Sequence, residues 1–171
     1  PRILNLFAYT GAASMILARQ GCKITHVDAS KPALDWANEN AKLNELPDTA
    51  IRWMLDDAVK FVQREVRRGS QYEGILLDPP AFGHTPSGKL WKFNRDLPDL
   101  LNNCAQLLSP DAKFLLLNGY ATNSSSLAIK NLLEDTMQAT KHTGTVEHGE
   151  LCLTQNDGRM ISTGIFSRWS I

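Results

Sequence analysis

The chain has 171 residues, of which 43% are hydrophobic and 21% are charged. This is the length of one ordinary domain, and the composition excludes a disordered chain. Lysine plus arginine and aspartate plus glutamate both number 18, so the formal net charge is zero. Bulk charge therefore points to no nucleic-acid partner, and such a partner would need a local basic patch.

The cysteines and the start of the chain bear on compartment and domain organisation. Cys22, Cys104 and Cys152 form neither a CxxC pair nor a disulfide framework, so we expect a cytoplasmic protein. No apolar run reaches the length of a membrane span, and we expect no membrane contact. Because the chain starts at Pro1 and is in an apolar strand by residue 3, we expect residues 1–171 to be one domain lacking an upstream region. The oligomeric state is left open.

Strands and helices alternate along most of the chain. Short apolar runs predict the strands, and amphipathic segments with capping residues such as Ser30 predict the helices. In chain order the predictions are strand 2–7, helix 12–20, strand 23–28, helix 30–45, strand 50–55, helix 56–68, strand 72–78, helix 95–108, strand 112–120 and helix 124–140. This alternation is typical of a parallel sheet covered by helices on both faces.

Two segments depart from the alternation. Residues 79–95 are rich in Gly, Pro, Lys and aromatic residues and predict a loop. Residues 144–154 and 159–170 are alternating strands joined through QNDG, which predicts a terminal antiparallel hairpin. The fold class is therefore α/β.

Candidate ligand-binding residues follow the first three predicted strands. Ligands of doubly wound sheets bind beyond the carboxyl ends of the strands. The turn Phe7-Ala8-Tyr9-Thr10-Gly11 is small enough for close approach to a ligand, although it is not GxGxxG and could be an ordinary turn. Asp28 ends the second strand and could accept from ribose hydroxyls or cap the next helix.

Asp56 and Asp57 end the third strand. A carboxylate here could accept from the amine of an adenine, or could cap the helix that begins at Ala58. We favour Asp57 as the ligand contact and keep Asp56 as its rival. A glycine turn and two carboxylate sites with nothing to neutralise a pyrophosphate suit S-adenosylmethionine better than NAD or ATP. Ala29, Ser30 and Ala58 complete the predicted cofactor site.

The fourth strand ends in Asp78-Pro79-Pro80-Ala81-Phe82. With this motif the chain resembles the class I S-adenosylmethionine-dependent methyltransferases, whose motif IV is often [DN]-P-P-[aromatic]. LNLFAYTGAAS, VDASKPALDWANENAKLN and LLDPPAF are similar to the ribosomal-RNA large-subunit methyltransferase group that includes the 5-methylcytosine enzyme of the RlmI type. The resemblance covers nearly the whole chain.

The resemblance implies a Rossmann-like, doubly wound, seven-stranded sheet of order 3-2-1-4-5-7-6 with strand 7 antiparallel. It implies that the Phe7–Gly11 turn holds the amino-acid end of the cofactor, Asp28 the ribose and Asp57 the adenine. Asp78 would lie where cofactor and acceptor meet, so it is a predicted cofactor contact as well as a catalytic residue.

The Asp-Pro-Pro corner suits methyl transfer, which needs a nucleophile placed in line with the activated methyl group. Pro79 and Pro80 fix the backbone, remove two amide donors and leave carbonyl oxygens that could accept from an acceptor amine. Asp78 could orient the same amine, and Phe82 could stack on a planar ring. We predict these four residues as the catalytic set.

A 5-methylcytosine enzyme also needs a thiolate that adds to the base. In the resembling family this cysteine follows strand 4 or strand 5, where the present chain reads DPPAFG and LNGYATNSS without a cysteine. Methylation of carbon through a covalent adduct is therefore doubtful, and a nitrogen or oxygen acceptor is favoured.

The segment 83–95 gives the best indication of a substrate. His84, Lys89, Trp91, Lys92 and Arg95 combine cations for phosphate with aromatic surface for bases, which favours ribosomal RNA as the partner. The alternative is a lid whose aromatics pack inward. The scattered histidines indicate no metal site.

Other functions remain open at this stage. A small molecule or a protein side chain could be the acceptor. A non-catalytic module that binds S-adenosylmethionine or RNA and an NAD-dependent oxidoreductase are the alternatives from other classes.

Overall fold

The computed structural model describes residues 1–84 and 90–171. The strands of this part are β1 Arg2–Leu6, β2 Lys23–Asp28, β3 Ile51–Leu55, β4 Gly74–Leu77, β5 Phe82–His84, β6 Leu90–Lys92, β7 Phe114–Gly119, β8 Thr145–Thr154 and β9 Met160–Ser170. The helices are α1 Ala12–Arg19, α2 Lys31–Leu43, α3 Ala58–Arg68, α4 Phe93–Gln106 and α5 Ser126–Ala139.

Seven strands form one sheet in the order β3-β2-β1-β4-β7-β9-β8. The pairs from β3 to β7 are parallel, while β9 is antiparallel to both β7 and β8. Counted without the short strands β5 and β6, this is the order 3-2-1-4-5-7-6 with strand 7 antiparallel. The predicted fold class and the terminal hairpin are confirmed.

Helices cover the sheet unequally. On one face, α3, α4 and α5 pack over a continuous core that includes Leu4, Phe61 and Leu117, all fully buried. On the other face, a smaller cluster around Ile3 and Ile24 lies under α1 and α2. Because β1 and β4 lie in the middle of the sheet, their apolar residues are buried, as near-continuous apolar strands of a parallel sheet should be.

Gly74 allows side chains of the neighbouring strands β1 and β7 to pack closely at the centre of the sheet. A Cβ atom at this position would lie 2.5 Å from Cε1 of Phe114 and 2.8 Å from Cδ1 of Ile3. The side chains of the neighbouring strands therefore occupy the space above Gly74, and any larger residue would push them apart.

The segment predicted as a loop contains structure. β5 and β6 form a separate antiparallel ribbon, with Phe82 opposite Lys92 and Gly83 opposite Trp91. The prediction missed it because three-residue strands are too short to show an alternating pattern. Residues 85–89 of this segment, including the predicted substrate residue Lys89, lie outside the described residues.

Helix α4 begins two residues earlier than predicted. Asp96 lies in the first turn of the helix, and its carboxylate accepts from the backbone N–H of Lys92 at 2.8 Å. Pro98 lies inside the helix. Within residues 1–84 and 90–171, no helix is both long and apolar enough to cross a membrane.

Candidate functional site

Two adjoining cavities open at the carboxyl ends of the parallel strands. The larger has a volume of about 640 Å³ and the smaller about 220 Å³, and they share Phe7, Tyr9 and Asp78. Every residue predicted to bind the cofactor lines one or both of them: Phe7, Ala8, Tyr9, Thr10, Gly11, Asp28, Ala29, Ser30, Asp56, Asp57, Ala58 and Asp78. The sheet topology thus brings together residues from four separate strand ends.

The turn after β1 is held in a strained conformation. Phe7 and Tyr9 have φ angles of 56° and 48°, and Gly11 has a φ of 87°. Only glycine adopts this region freely, so Phe7 and Tyr9 are held there by their surroundings. A Cβ atom on Gly11 would lie 3.2 Å from Cβ of Ala37, so the glycine also allows α2 to pack against the turn.

Asp28 fixes the turn to the end of β2. One carboxylate oxygen accepts from the N–H of Tyr9 and the other from the N–H of Ser30, both at 2.8 Å. Each carboxylate oxygen can accept a further hydrogen bond, so this arrangement orients Asp28 and still leaves acceptor capacity toward the cavity.

Asp56 and Asp57 both line the larger cavity, and both also have structural partners. Asp57 caps α3, its Oδ1 accepting from the N–H of Lys60 at 2.9 Å. Asp56 accepts from the N–H of Asp57 at 2.8 Å and forms an ion pair with Arg64. The capping alternative for Asp57 is therefore correct, and the cap uses one carboxylate oxygen while the other has no hydrogen bond within the described residues.

A buried polar network lies beside the smaller cavity, which Asn5 lines, and against Gly11 of the turn after β1. The amide of Asn5 donates to Oγ of Ser14 at 2.9 Å, and that hydroxyl lies 3.0 Å from Nδ1 of His26. All three residues are buried, and the His26 ring lies 4.8 Å from that of Trp53. Burial lowers the pKa of His26 to about 4, so the imidazole is neutral at neutral pH.

Asp78 is exposed toward the cavities, yet the surrounding protein displaces part of its water, and this desolvation raises its pKa. Among the described residues its carboxylate has no hydrogen-bond or ion-pair partner. Pro79 is buried behind it. The carbonyl of Pro80, predicted to be free for an acceptor amine, instead accepts from Nε1 of Trp91 at 2.8 Å. Trp91 therefore uses one of the two acceptor positions of this carbonyl, because the ribbon returns Trp91 against the corner.

The aromatic residues are placed differently from the prediction. Trp91 is only 5% exposed and lines the larger cavity, with its ring 5.6 Å from that of Phe7. Phe82 is 74% exposed and is not among the residues that line the two cavities. The inward-packing alternative for the segment 83–95 therefore describes Trp91, which forms a wall of the cavity rather than an exposed stacking surface.

The predicted cationic residues of the segment 83–95 have different surroundings in the structure. The Arg95 guanidinium pairs with Asp96 at 2.8 Å and also contacts the carbonyl of Leu90, so it holds the turn into α4. Lys92 is exposed. The backbone of His84 pairs with Leu90 in the ribbon, whereas its side chain lies outside the description. The structure thus places Trp91 in the lining of the larger cavity, leaves Lys92 exposed outside that lining, and commits Arg95 to an internal contact.

Tyr120 was not predicted, although it lines the larger cavity together with Asp78 and Pro80. It follows the end of β7 and is 46% exposed. Burial and the charge of Asp78 raise the pKa of its hydroxyl, which keeps the phenol neutral. Its place as the last residue of the predicted strand 112–120, at the edge where ligands bind, was the one available signal.

None of the three cysteines lines either cavity. Cys104 is fully buried, and burial raises the pKa of its thiol, whereas Cys152 is exposed on β8. In the described part of the chain, no group of three His, Cys, Asp or Glu side chains is arranged to hold a metal ion.

The charge of the larger cavity is one-sided. Asp28, Asp56, Asp57 and Asp78 line it, and no Lys or Arg does so among the described residues. Such a cavity attracts a cationic or hydroxyl-bearing ligand and repels a pyrophosphate.

The strand order and this cavity define the fold of the class I S-adenosylmethionine-dependent methyltransferases. No protein-family profile matches the chain. Across 99% of its length the chain is 44% identical to the SAM-dependent methyltransferase from Agrobacterium tumefaciens, with a TM-score of 0.92, and covers 55% of that protein.

Two curated relatives have names that specify ribosomal RNA. The chain is 35% identical over 120 residues to ribosomal RNA large subunit methyltransferase K/L of Shewanella sp. (strain ANA-3), a match covering 68% of the chain and 17% of the relative. It is 30% identical over 147 residues to ribosomal RNA large subunit methyltransferase I of Salmonella arizonae, covering 85% of the chain and 36% of the relative. The chain is a class I S-adenosylmethionine-dependent methyltransferase, similar to this ribosomal-RNA large-subunit group. It spans only part of the length of these relatives.

Proposed function

We propose that the chain binds S-adenosylmethionine in the larger cavity and transfers its methyl group to a nitrogen or oxygen atom of a base in ribosomal RNA. We further propose that residues 1–171 are the methyltransferase domain of a longer protein. The free cysteines fit a cytoplasmic location, where such a substrate is found.

The single observation that carries this proposal is the carboxylate-lined cavity without a cation. S-adenosylmethionine has a sulfonium and an ammonium group and no phosphate, so it complements a carboxylate-lined cavity in which Asp56 alone has an ion-pair partner among the described residues. NAD and ATP bring a pyrophosphate that this cavity has no Lys or Arg to neutralise, again among the described residues.

The geometry suggests an orientation for the cofactor. The ribose hydroxyls would bind the remaining acceptor positions of Asp28, and the adenine amine the second oxygen of Asp57. The methionine end would lie over the Phe7–Gly11 turn, between the two cavities. This orientation directs the methyl group to the end of the cavity that Asp78 and Tyr120 line.

Two observations support the acceptor. The relatives of the chain are named as ribosomal RNA large subunit methyltransferases. The absence of a cysteine from the lining of both cavities favours direct transfer to a nitrogen or oxygen, because a base carbon would need a thiolate adduct first.

Two measurements test the proposal. Calorimetry should detect binding of S-adenosylhomocysteine, the demethylated product, to the chain. Labelled S-adenosylmethionine should then transfer its methyl group to an unmodified transcript of large-subunit ribosomal RNA, with a rate that falls steeply as salt is raised. Label that appears in protein or metabolite fractions and not in RNA would overturn the proposed substrate, and no cofactor binding by a folded chain would overturn the whole proposal.

A further inference from the structure

We propose that Tyr120, and not Phe82, supplies the aromatic surface on which a flat acceptor ring stacks beside Asp78. This inference rests on the proposed function and deepens it, since it identifies the residue that holds the acceptor. It also makes the acceptor a planar ring that carries a hydrogen-bond donor.

The position of Phe82 argues against the expected role. In the motif [DN]-P-P-[aromatic] the aromatic residue follows the second proline directly, whereas here Ala81 occupies that position and Phe82 comes one residue later. Phe82 and Gly83 are consecutive in β5, and consecutive strand residues face opposite sides. Trp91, which is paired with Gly83, lines the larger cavity, so this side of the ribbon faces the cavity and Phe82 faces away from it.

Tyr120, unlike Phe82, lines the larger cavity. It lines the same cavity as Asp78 and Pro80, and the residue as a whole is 46% exposed. Trp91 and Phe7 also line the cavity, but their rings pack against each other at 5.6 Å, and Trp91 is only 5% exposed. Among the described residues, Tyr9 and Tyr120 are the exposed aromatic residues of this cavity. Tyr9 belongs to the turn proposed for the cofactor, whereas burial and the nearby carboxylate charge of Asp78 raise the pKa of the Tyr120 phenol, so Tyr120 lies close to Asp78.

The backbone around Tyr120 is held firmly enough to position a ring. Gly164 of β9 lies against the strand end, because a Cβ atom there would be 2.9 Å from the carbonyl oxygen of Gly119 and 3.6 Å from Cβ of Tyr120. Ala121 has a φ of 50°, a strained value that turns the chain sharply after Tyr120.

The start of α4 ties this turn to the Asp-Pro-Pro corner. Asn94 Oδ1 accepts from the hydroxyl of Ser124 at 2.7 Å, which anchors the turn after Tyr120. The neighbouring N–H of Phe93 donates to the carbonyl of Ala81 at 2.9 Å, which anchors the corner. Tyr120 and Asp78 are consequently fixed relative to one another through two adjacent residues of α4.

The chemistry of the pair defines the acceptor. The Asp78 carboxylate accepts hydrogen bonds and would bind an exocyclic amine or ring N–H at the edge of the acceptor. The ring of Tyr120 offers a π-face to its plane, and stacking of this kind tolerates any base. The neutral phenol adds a hydroxyl that can donate or accept.

The experiment compares four variants: Tyr120→Leu, Tyr120→Phe, Phe82→Leu and, as a surface control, Trp36→Leu. Trp36 is an exposed aromatic residue on α2 that lines neither cavity. Methyl transfer to the ribosomal RNA transcript and S-adenosylhomocysteine affinity are measured for each. We expect Tyr120→Leu to lose about tenfold or more in transfer with unchanged cofactor affinity, because a stacking contact is lost. Tyr120→Phe, which keeps the ring, should remain within about threefold.

Two results would overturn the inference while the proposed function stands: equal transfer by Tyr120→Leu and Trp36→Leu, or a larger loss with Phe82→Leu than with Tyr120→Leu. If the chain transfers no methyl group to RNA, the proposed substrate fails, and the inference is decided by titrating adenosine, guanosine, cytidine and uridine into the protein saturated with S-adenosylhomocysteine. Nucleoside binding that Tyr120→Leu abolishes supports the stacking role. Binding that is the same in both proteins, or absent from both, overturns it.

Discussion

The two ends of the larger cavity are built in different ways. At the cofactor end, Asp28, Asp56 and Asp57 each accept hydrogen bonds from backbone N–H groups, so their carboxylates are oriented before any ligand arrives. At the acceptor end, Asp78 has no such partner among the described residues, and Tyr120 is half exposed. The cofactor can bind to side chains that the protein has already oriented. Side chains without partners inside the protein complete their contacts only when the substrate binds.

This contrast predicts the largest loss for Asp28→Ala. The substitution removes the proposed ribose contacts, the hydrogen bond from Tyr9 that fixes the Phe7–Gly11 turn, and the hydrogen bond from the N–H of Ser30. Since each hydrogen bond to a charged group contributes about 1.5–3 kcal/mol, calorimetry should give an S-adenosylhomocysteine Kd about 100-fold higher or more. Asp35→Ala, which removes an exposed carboxylate on α2, is the control. An unchanged Kd in folded Asp28→Ala would remove Asp28 from the site.

The buried network beside the smaller cavity predicts a pH-dependent stability. Burial lowers the pKa of His26 from 6.5 to about 4, so the unfolded chain binds a proton before the folded chain does. Stability is then complete above pH 6.5 and falls as the pH drops toward 4, by about 2 kcal/mol between pH 6.5 and pH 5.

Urea unfolding at several pH values measures this contribution. The slope between pH 6.5 and pH 5 should decrease in His26→Phe and remain in the control His148→Gln, because His148 is an exposed residue on β8. Identical slopes in wild type and His26→Phe would contradict the assignment.

A smaller effect is expected at the acceptor end, where Asp78→Asn keeps the shape of the side chain and removes its charge. Transfer should slow by about tenfold, as for one charged hydrogen bond, with at most a few-fold change in S-adenosylhomocysteine Kd. Because burial raises the pKa of Asp78, wild-type transfer should decline with falling pH at a higher pH than an ordinary aspartate would give. Asp78→Asn should lack that decline. A cofactor affinity that falls as much as the rate would assign Asp78 to the cofactor end instead.

The smallest effect is expected from the cysteines. Cys22→Ala and Cys152→Ala should transfer at the wild-type rate, and Cys104→Ala should do so per folded molecule, because none of these thiols lines the cavities. Loss of transfer in any of them, with folding checked by circular dichroism, would revive a covalent adduct to a base carbon.

Sequence patterns placed the predicted cofactor residues around one pair of cavities, but they did not predict the surroundings of Asp78, for physical reasons. Apolar strands that end in aspartate are local patterns, and the parallel topology places their carboxyl ends at one edge. The contact from Trp91 to Pro80 joins residues across a ribbon with no detectable period, and the pairing of Asp56 with Arg64 depends on the packing of α3. Tyr120 follows an apolar strand without any motif, so only the folded sheet places it beside Asp78.

The hydrogen bonds of Phe93 and Asn94 have a consequence for altering the specificity of this enzyme. Ala81 and Ser124 are hydrogen-bonded to adjacent residues of one helix, so a redesign of either loop would also shift the position of the other loop. Engineering a new acceptor would therefore require both loops and the first turn of α4 to be varied together, while the cofactor-binding half could be transferred unchanged.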